Sequence, residues 1–190
     1  MGTDILSNDS RLTDGFLKSS KGGFRRNMGK EVEMIRKHPL YVAYYEKLKQ
    51  AEHGRKFCCH QMEHLLAVAR IAYILNLERN LGIRKEVIYA AALLHDIGKY
   101  EQYTDGVPHE EASARIAEQI FAELPGEAFS GEEKRQMIRA IRGHRREREG
   151  MEPLEELLYV SDKRSRNCFA CESEAACNWS PEKKNCSIVL

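Results

Sequence analysis

The chain has 190 residues, 42% of them hydrophobic, which is enough for one sizeable core and too few for two ordinary domains with linkers. Lys and Arg total 30 against 29 Asp and Glu, so no overall field favours nucleic acid or an anionic membrane, and any anion preference has to be local. No segment approaches the roughly 20 apolar residues of a membrane span, and the opening MGTDILSNDSRLTDG is polar and acidic; the expectation is a soluble cytoplasmic protein whose cysteines are thiols or metal ligands rather than disulfides.

Residues 1–29 include SSKGGFRRNMGK, with no apolar periodicity, and read as a flexible arm. Residues 30–167 form a succession of helical patterns. Pro39 suits the first turn of a helix on which Tyr41, Tyr44, Tyr45 and Leu48 make an i, i+3, i+4, i+7 stripe. Segment 58–79 predicts a long amphipathic helix through Met62, Leu65, Val68, Ala69, Ala72, Tyr73 and Leu75, which Gly82 helps to end. A further helix runs from Lys85 to His95, its last part reading YAAALLHD. Pro108 opens another at VPHEEASARIAEQIFAEL, and Glu132 to His144 and Leu154 to Asp162 supply two more. No stretch alternates with the period of two that marks a half-buried strand, so the fold class is all-α.

Polar residues interrupt these apolar faces. A single His on an amphipathic helix is usually a core or boundary histidine, so the signal lies in accumulation. His60 and His64 are four apart and would share one helix face, about 6 Å apart along the axis. His95 and Asp96 end the most apolar helix, and Asp162 follows the apolar run LEELLYVS, where an unpaired carboxylate is costly to bury. A divalent cation resolves these difficulties together, because it binds neutral imidazoles and carboxylates and supplies the countercharge.

The order HLLAVARIA at His64, LLHDIGK at His95 and Asp96, and VSDKRSR at Asp162 resembles the HD superfamily of metal-dependent phosphohydrolases, over about residues 56–166. The resemblance implies a helical bundle with a metal site at its centre, in which His64, His95, Asp96 and Asp162 are the ligands of one ion. His109 and His144 read either as exposed helix-terminal histidines or, by the same resemblance to dinuclear branches such as the diadenosine tetraphosphate hydrolases, as ligands of a second ion bridged by Asp96. The HD-GYP branch is a poorer fit, because Arg145 stands where that group has another His and no GYP triplet occurs. The implied activity is hydrolysis of a phosphate ester or anhydride of a nucleotide or similar small molecule by metal-activated water. One or two divalent ions are implied, and Fe, Mn, Mg, Ni, Co and Zn are not distinguished. Some HD-fold proteins are diiron oxygenases, and a non-catalytic nucleotide or metal sensor is a third alternative.

Lys99 and Arg145 are the candidate phosphate contacts, Lys99 with a catalytic role beside Asp96, and the alternative for both is a solvated surface charge. Arg166, four residues after Asp162, could reach the same site if that helix continues, and His60 is a candidate substrate contact. Arg146 and Arg148 in RREREG read as solvated. In residues 168–190, Cys168, Cys171, Cys177 and Cys186 could hold zinc or an iron-sulfur cluster, yet their spacing matches no standard pattern, and free thiols on a tail anchored by Trp179 are the alternative.

Overall fold

A computed structural model describes residues 29–188, so most of the expected N-terminal arm lies outside the described residues. Among those residues there are eight α-helices and no strand: α1 (Lys30–Lys37), α2 (Pro39–Ala51), α3 (Met62–Glu78), α4 (Lys85–Leu94), α5 (Lys99–Asp105), α6 (His109–Glu123), α7 (Gly131–Gly143) and α8 (Pro153–Arg164). None is long and apolar enough to cross a membrane.

Helix α4 is the axis of the bundle. Val87, Ile88 and every residue from Ala90 to Leu94 are buried, and a helix that is apolar all round has no face to give to water. Its three consecutive alanines let α3, α7 and α8 close around it, with α1 and α6 completing the ring. The C-terminus of this helix, where His95 and Asp96 sit, therefore arrives at the centre of the molecule with 0% and 2% of its surface exposed respectively. The ends of the other helices are set by local chemistry. Pro39 and Pro153 occupy first turns, where a missing N–H costs nothing, and Ser130 and Glu133 form a reciprocal capping box at α7.

Two boundaries differ from the sequence expectation. Helix α3 ends at Glu78 and is closed by Asn80 rather than Gly82: Asn80 takes the left-handed conformation at φ 53° and Leu81 N–H donates to Asn76 C=O, the signature of a Schellman cap. The buried Asn76 side chain then holds both the N–H and the C=O of Ile83 and closes the α3–α4 loop. Helix α5, KYEQYTD, has no counterpart in the predicted elements, because it buries no residue fully and shows no apolar period. It lies on α2 and α6.

Beyond α8 the chain makes three short 3-10 turns, Cys168–Ala170, Glu174–Ala176 and Pro181–Lys183. Asn185 Nδ2 donates to Arg164 C=O, Ser173 Oγ donates to Lys56 C=O, and Lys163 Nζ lies 5.8 Å from the centre of the Trp179 ring. These contacts fasten the tail to the end of α8 and to the segment that precedes α3.

The turn between α4 and α5 is packed against the backbone of α6. Gly98 N–H donates to Ser113 Oγ at 2.9 Å. A Cβ on Gly98 would stand 2.4 Å from Ser113 N and 2.6 Å from Ala112 Cβ, contacts with the α6 backbone that no rotamer change relieves. Gly98→Ala should therefore cost about 1–3 kcal/mol in urea unfolding, while Gly126→Ala, which meets nothing within 4 Å, should be close to neutral. Equal stability of the two variants would contradict this packing.

Candidate metal centre

Four elements deliver the polar residues to one place. His64 comes from the first turn of α3, His95 and Asp96 from the end of α4, and Asp162 from the last turn of α8. His109 begins α6 and His144 follows α7, and both are buried, at 4% and 1% exposure. Burial of these two rules out the reading as exposed helix-terminal histidines. The centre comprises two groups that could each hold a metal ion and that share one residue: His64, His95, Asp96 and Asp162 on one side, and Asp96, His109 and His144 on the other.

The Asp96 carboxylate is divided between them. Its Oδ2 lies 3.1 Å from His95 Nε2 and 3.4 Å from His64 Nε2, and its Oδ1 lies 3.1 Å from His109 Nε2 and 3.7 Å from His144 Nε2. Asp162 Oδ1 completes the first group at 3.4 Å from His64 and 3.8 Å from His95. Donors bound to one first-row ion at about 2.1 Å stand about 3.0–3.4 Å apart, so the spacing suits an ion in each group.

Hydrogen bonds behind the rings fix which nitrogens face inward. His95 Nδ1 donates to Ala92 C=O at 2.7 Å and His144 Nδ1 donates to Ile141 C=O at 2.6 Å. His109 Nδ1 is 2.5 Å from Gln102 Oε1. Ser165 Oγ donates to Asp162 C=O at 2.7 Å, which leaves its oxygen to accept from His64 Nδ1 at 3.1 Å. With every Nδ1 carrying its proton outward, the Nε2 atoms converge. His109 and His144 Nε2 face each other at 3.1 Å, two lone pairs that only a shared cation or proton reconciles. His95 Nε2 and Asp96 Oδ1 are buried without a hydrogen-bond partner. The residues present fit a divalent metal.

The electrostatics agree. Burial would raise the Asp96 and Asp162 carboxyls, but imidazoles outweigh it, His95 foremost at Asp96 and His64 then His95 at Asp162, and both are held well below the usual carboxylate range. At His95 burial opposes the charge, yet Asp96 and Asp162 prevail and raise it to about 9. Burial lowers His109 and, more strongly, His60, which falls to about 4.

His60 is not on the helix of His64. Gln61 is extended and α3 starts at Met62, because the buried Glu52 pins the preceding segment, accepting from His60 N–H at 2.8 Å and meeting His60 Nδ1 at 2.5 Å. Tyr103 Oη donates to the same carboxylate at 3.0 Å. His60 still enters the site, with Nε2 4.0 Å from Asp96 Oδ2, but from its own loop. Glu52, Gln102, Tyr103 and Ser165 escaped the sequence reading. Only Ser165, one turn after Asp162, left a spacing that could have drawn attention.

A cavity of about 540 Å³ opens over both groups, and Lys99, Arg145 and Arg166 all line it. Lys99 Nζ is 4.0 Å from Asp96 Oδ1 and 3.4 Å from His109 Nδ1. Arg145 is at the rim, held by both oxygens of Glu110 at 3.0 Å. Helix α8 stops at Arg164, yet Arg166 reaches inward: Nη1 donates to Cys59 C=O at 3.1 Å and Nη2 lies 3.0 Å from His64 Nε2. Arg146 is exposed as expected, but Arg148 pairs with the buried Glu155 rather than with solvent alone. Cys168, Cys171, Cys177 and Cys186 are free, and among the described residues no three of them come within ligand distance of one another. Main-chain turns and the bonds of Asn185, Ser173 and Lys184, rather than thiols, give the tail its shape.

A family model for the HD domain matches residues 62–167, a span that contains His64, His95, Asp96, His109, His144 and Asp162. The chain belongs to the HD domain family. It is also similar, at 45% identity over 148 residues, to an uncharacterised protein of Clostridium beijerinckii, an alignment that covers 78% of this chain and 91% of that one. No solved structure matches it.

In the metal-free protein His95 keeps its proton at neutral pH, so an incoming ion has to displace it. Apparent affinity for Mn²⁺ should rise with pH, about tenfold per unit, and level off near pH 9, as measured by competition with a chelating dye. The proton stabilises the metal-free fold in the opposite sense: its contribution is complete below about pH 6.5 and is lost as pH rises through about 9. Affinity independent of pH in that window would contradict a ligand role for His95. Protein saturated with Mn²⁺ should hold about two ions per chain, and His109→Ala or His144→Ala about one.

Proposed function

We propose that the chain is a metal-dependent phosphohydrolase that cleaves a phosphate ester or anhydride of a nucleotide or similar small molecule, with His64, His95, Asp96 and Asp162 holding one divalent ion and Asp96, His109 and His144 holding a second. The observation that carries the reading is the division of the Asp96 carboxylate between two sets of inward-facing imidazoles beneath a cavity walled by cations. Ions held there supply Lewis acidity at phosphoryl oxygens and lower the pKa of water.

The chain's own residues orient the substrate. In hydrolysis a water oxygen bonds to phosphorus, the bond from phosphorus to the leaving oxygen breaks, and that oxygen takes a proton. Negative charge collects on the phosphoryl and leaving oxygens, so cations fixed in place beforehand favour the transition state. Lys99, with a side chain only 14% exposed, is directed at the centre; burial lowers its pKa against the pull of Asp96 and Asp162. Glu110 holds the Arg145 guanidinium at the rim, with a second face of the fork left for an anion. Arg166 Nη2 lies 3.0 Å from His64 Nε2 and 3.4 Å from Asp162 Oδ1, so an ion held by those atoms would free it for a phosphoryl oxygen. The Glu52–His60–Tyr103 cluster sets the position of His60 at the edge of the cavity.

Protein reconstituted with Mn²⁺ should release phosphate from at least one nucleotide or small phosphate ester in a broad screen, and Asp96→Asn should abolish that release together with most of the bound metal. Lys99→Ala should keep its metal and lose about 10- to 150-fold in kcat/KM, the equivalent of one charge-assisted hydrogen bond of about 1.5–3 kcal/mol. Wild-type kinetics in Lys99→Ala would return this lysine to a solvent role. Oxygen consumption by the iron-loaded protein, with no phosphate released from any ester, would replace the hydrolase reading by the oxygenase one.

A further inference from the structure

The cavity over the centre has a roof as well as a floor, and the roof comes from chain beyond the family match. Residues 62–167 supply the six histidines and aspartates of the floor. Trp179, Ser180 and Lys183, from the turns after Cys177, face them from the other side. A second cavity, of about 700 Å³, adjoins the first and shares with it His60, Lys99, Gln102, Arg166, Asn178 and Trp179. Its further walls are less polar and partly aromatic, with Phe57, Ala67 and Tyr103 among them. One compartment is thus cationic above two carboxylates, and its neighbour offers the flat rings of Phe57, Tyr103 and Trp179 among polar walls. Trp179 belongs to both.

The indole is tied to the centre. Lys163 Nζ lies 5.8 Å from the centre of its ring and 2.5 Å from Asp162 Oδ2. Lys183, on the turn after Trp179, adds a positive charge to the roof, and among the described residues it has no carboxylate within 4 Å. A ligand that suits both compartments carries a phosphoryl group at one end and a planar ring at the other.

We propose that the C-terminal segment is the specificity wall of this site and that Trp179 stacks on the base of a nucleotide whose phosphate lies over the His and Asp groups, so that nucleotides are preferred to base-free sugar phosphates. The assignment rests on the phosphohydrolase reading for the position of the phosphate. Stacking on an indole tolerates any base, since every base offers a π face, so the wall selects the presence of a base rather than its identity.

Trp179 is the single tryptophan of the chain, which makes it its own probe. Mg²⁺-loaded protein, excited on the red edge of indole absorption, is titrated with AMP and with ribose 5-phosphate, and phosphate release is followed in parallel. AMP should quench the emission at saturation and ribose 5-phosphate should not. By calorimetry Trp179→Ala should weaken AMP about 10- to 100-fold and leave ribose 5-phosphate within about twofold, while Trp179→Phe, which keeps a stacking face, should recover most of the loss. AMP binding that neither quenches the indole nor responds to Trp179→Ala overturns the wall, and the hydrolase reading stands if AMP is still cleaved. Quenching and the Trp179→Ala loss, with no phosphate released from AMP or from any ester of the broad screen, overturn the hydrolase reading and keep the wall. Failure of the metal-loaded protein to bind either compound overturns the wall, and the broad screen of esters then decides the hydrolase reading.

Discussion

Asp96 is a carboxylate with almost no access to water, and the arrangement of the bundle follows from keeping it charged there. Transfer of an isolated carboxylate to a protein interior costs several kcal/mol even after relaxation, so each oxygen needs its own compensation. Oδ2 lies against His64 and His95, and Oδ1, which has no hydrogen-bond partner, lies against His109 and His144. Four imidazoles cannot reach one carboxylate from a single helix. They are drawn from α3, α4 and the ends of α6 and α7, with α8 bringing the second carboxylate, Asp162. The small side chains of α4 and the missing Cβ of Gly98 allow those elements to approach closely enough. Local imidazole charge meets part of the demand in the metal-free protein, and the two facing lone pairs of His109 and His144 mark where it is not met.

Much of this was legible in the sequence because it is periodic or strongly unfavourable otherwise. The stripe on α3 and the run AAALL on α4 specify buried helices, and a His or Asp at the end of such a run has to be compensated inside the core. The His and Asp residues of those motifs are accordingly gathered at one buried place. What stayed hidden depends on contacts between residues far apart in sequence. Helix α5 has no apolar period, since it lies along α2 and α6 without a fully buried residue. His60 left the helix because of Glu52, eight residues earlier, whose role no local pattern announces. Arg166 reaches the site without the helical continuation that spacing suggests, held by the backbone of Cys59. Burial of His109 and His144 is likewise a tertiary fact, and only the family resemblance anticipated it.

The tail gives the opposite lesson. Its cysteines carry the most conspicuous pattern of the C-terminal stretch, yet they are not gathered into a ligand set among the described residues. The less conspicuous Trp179 and Lys183 face the centre. On this account chemistry and recognition reside in different stretches of one chain: the HD domain supplies the ion-holding floor, and the segments around residues 52–60 and 178–183 shape what can sit above it. The floor alone cannot select a substrate, because imidazoles and carboxylates that hold metal read only the phosphoryl end.

The central claim is that one carboxylate organises two cation sites, and anomalous diffraction from crystals soaked in Mn²⁺, collected near the manganese edge, tests it most directly. The account predicts two peaks flanking the Asp96 carboxylate, one within bonding distance of His64, His95 and Asp162 and the other of His109 and His144. A single peak with His109 and His144 turned away from it, or two peaks that do not share Asp96, would contradict it.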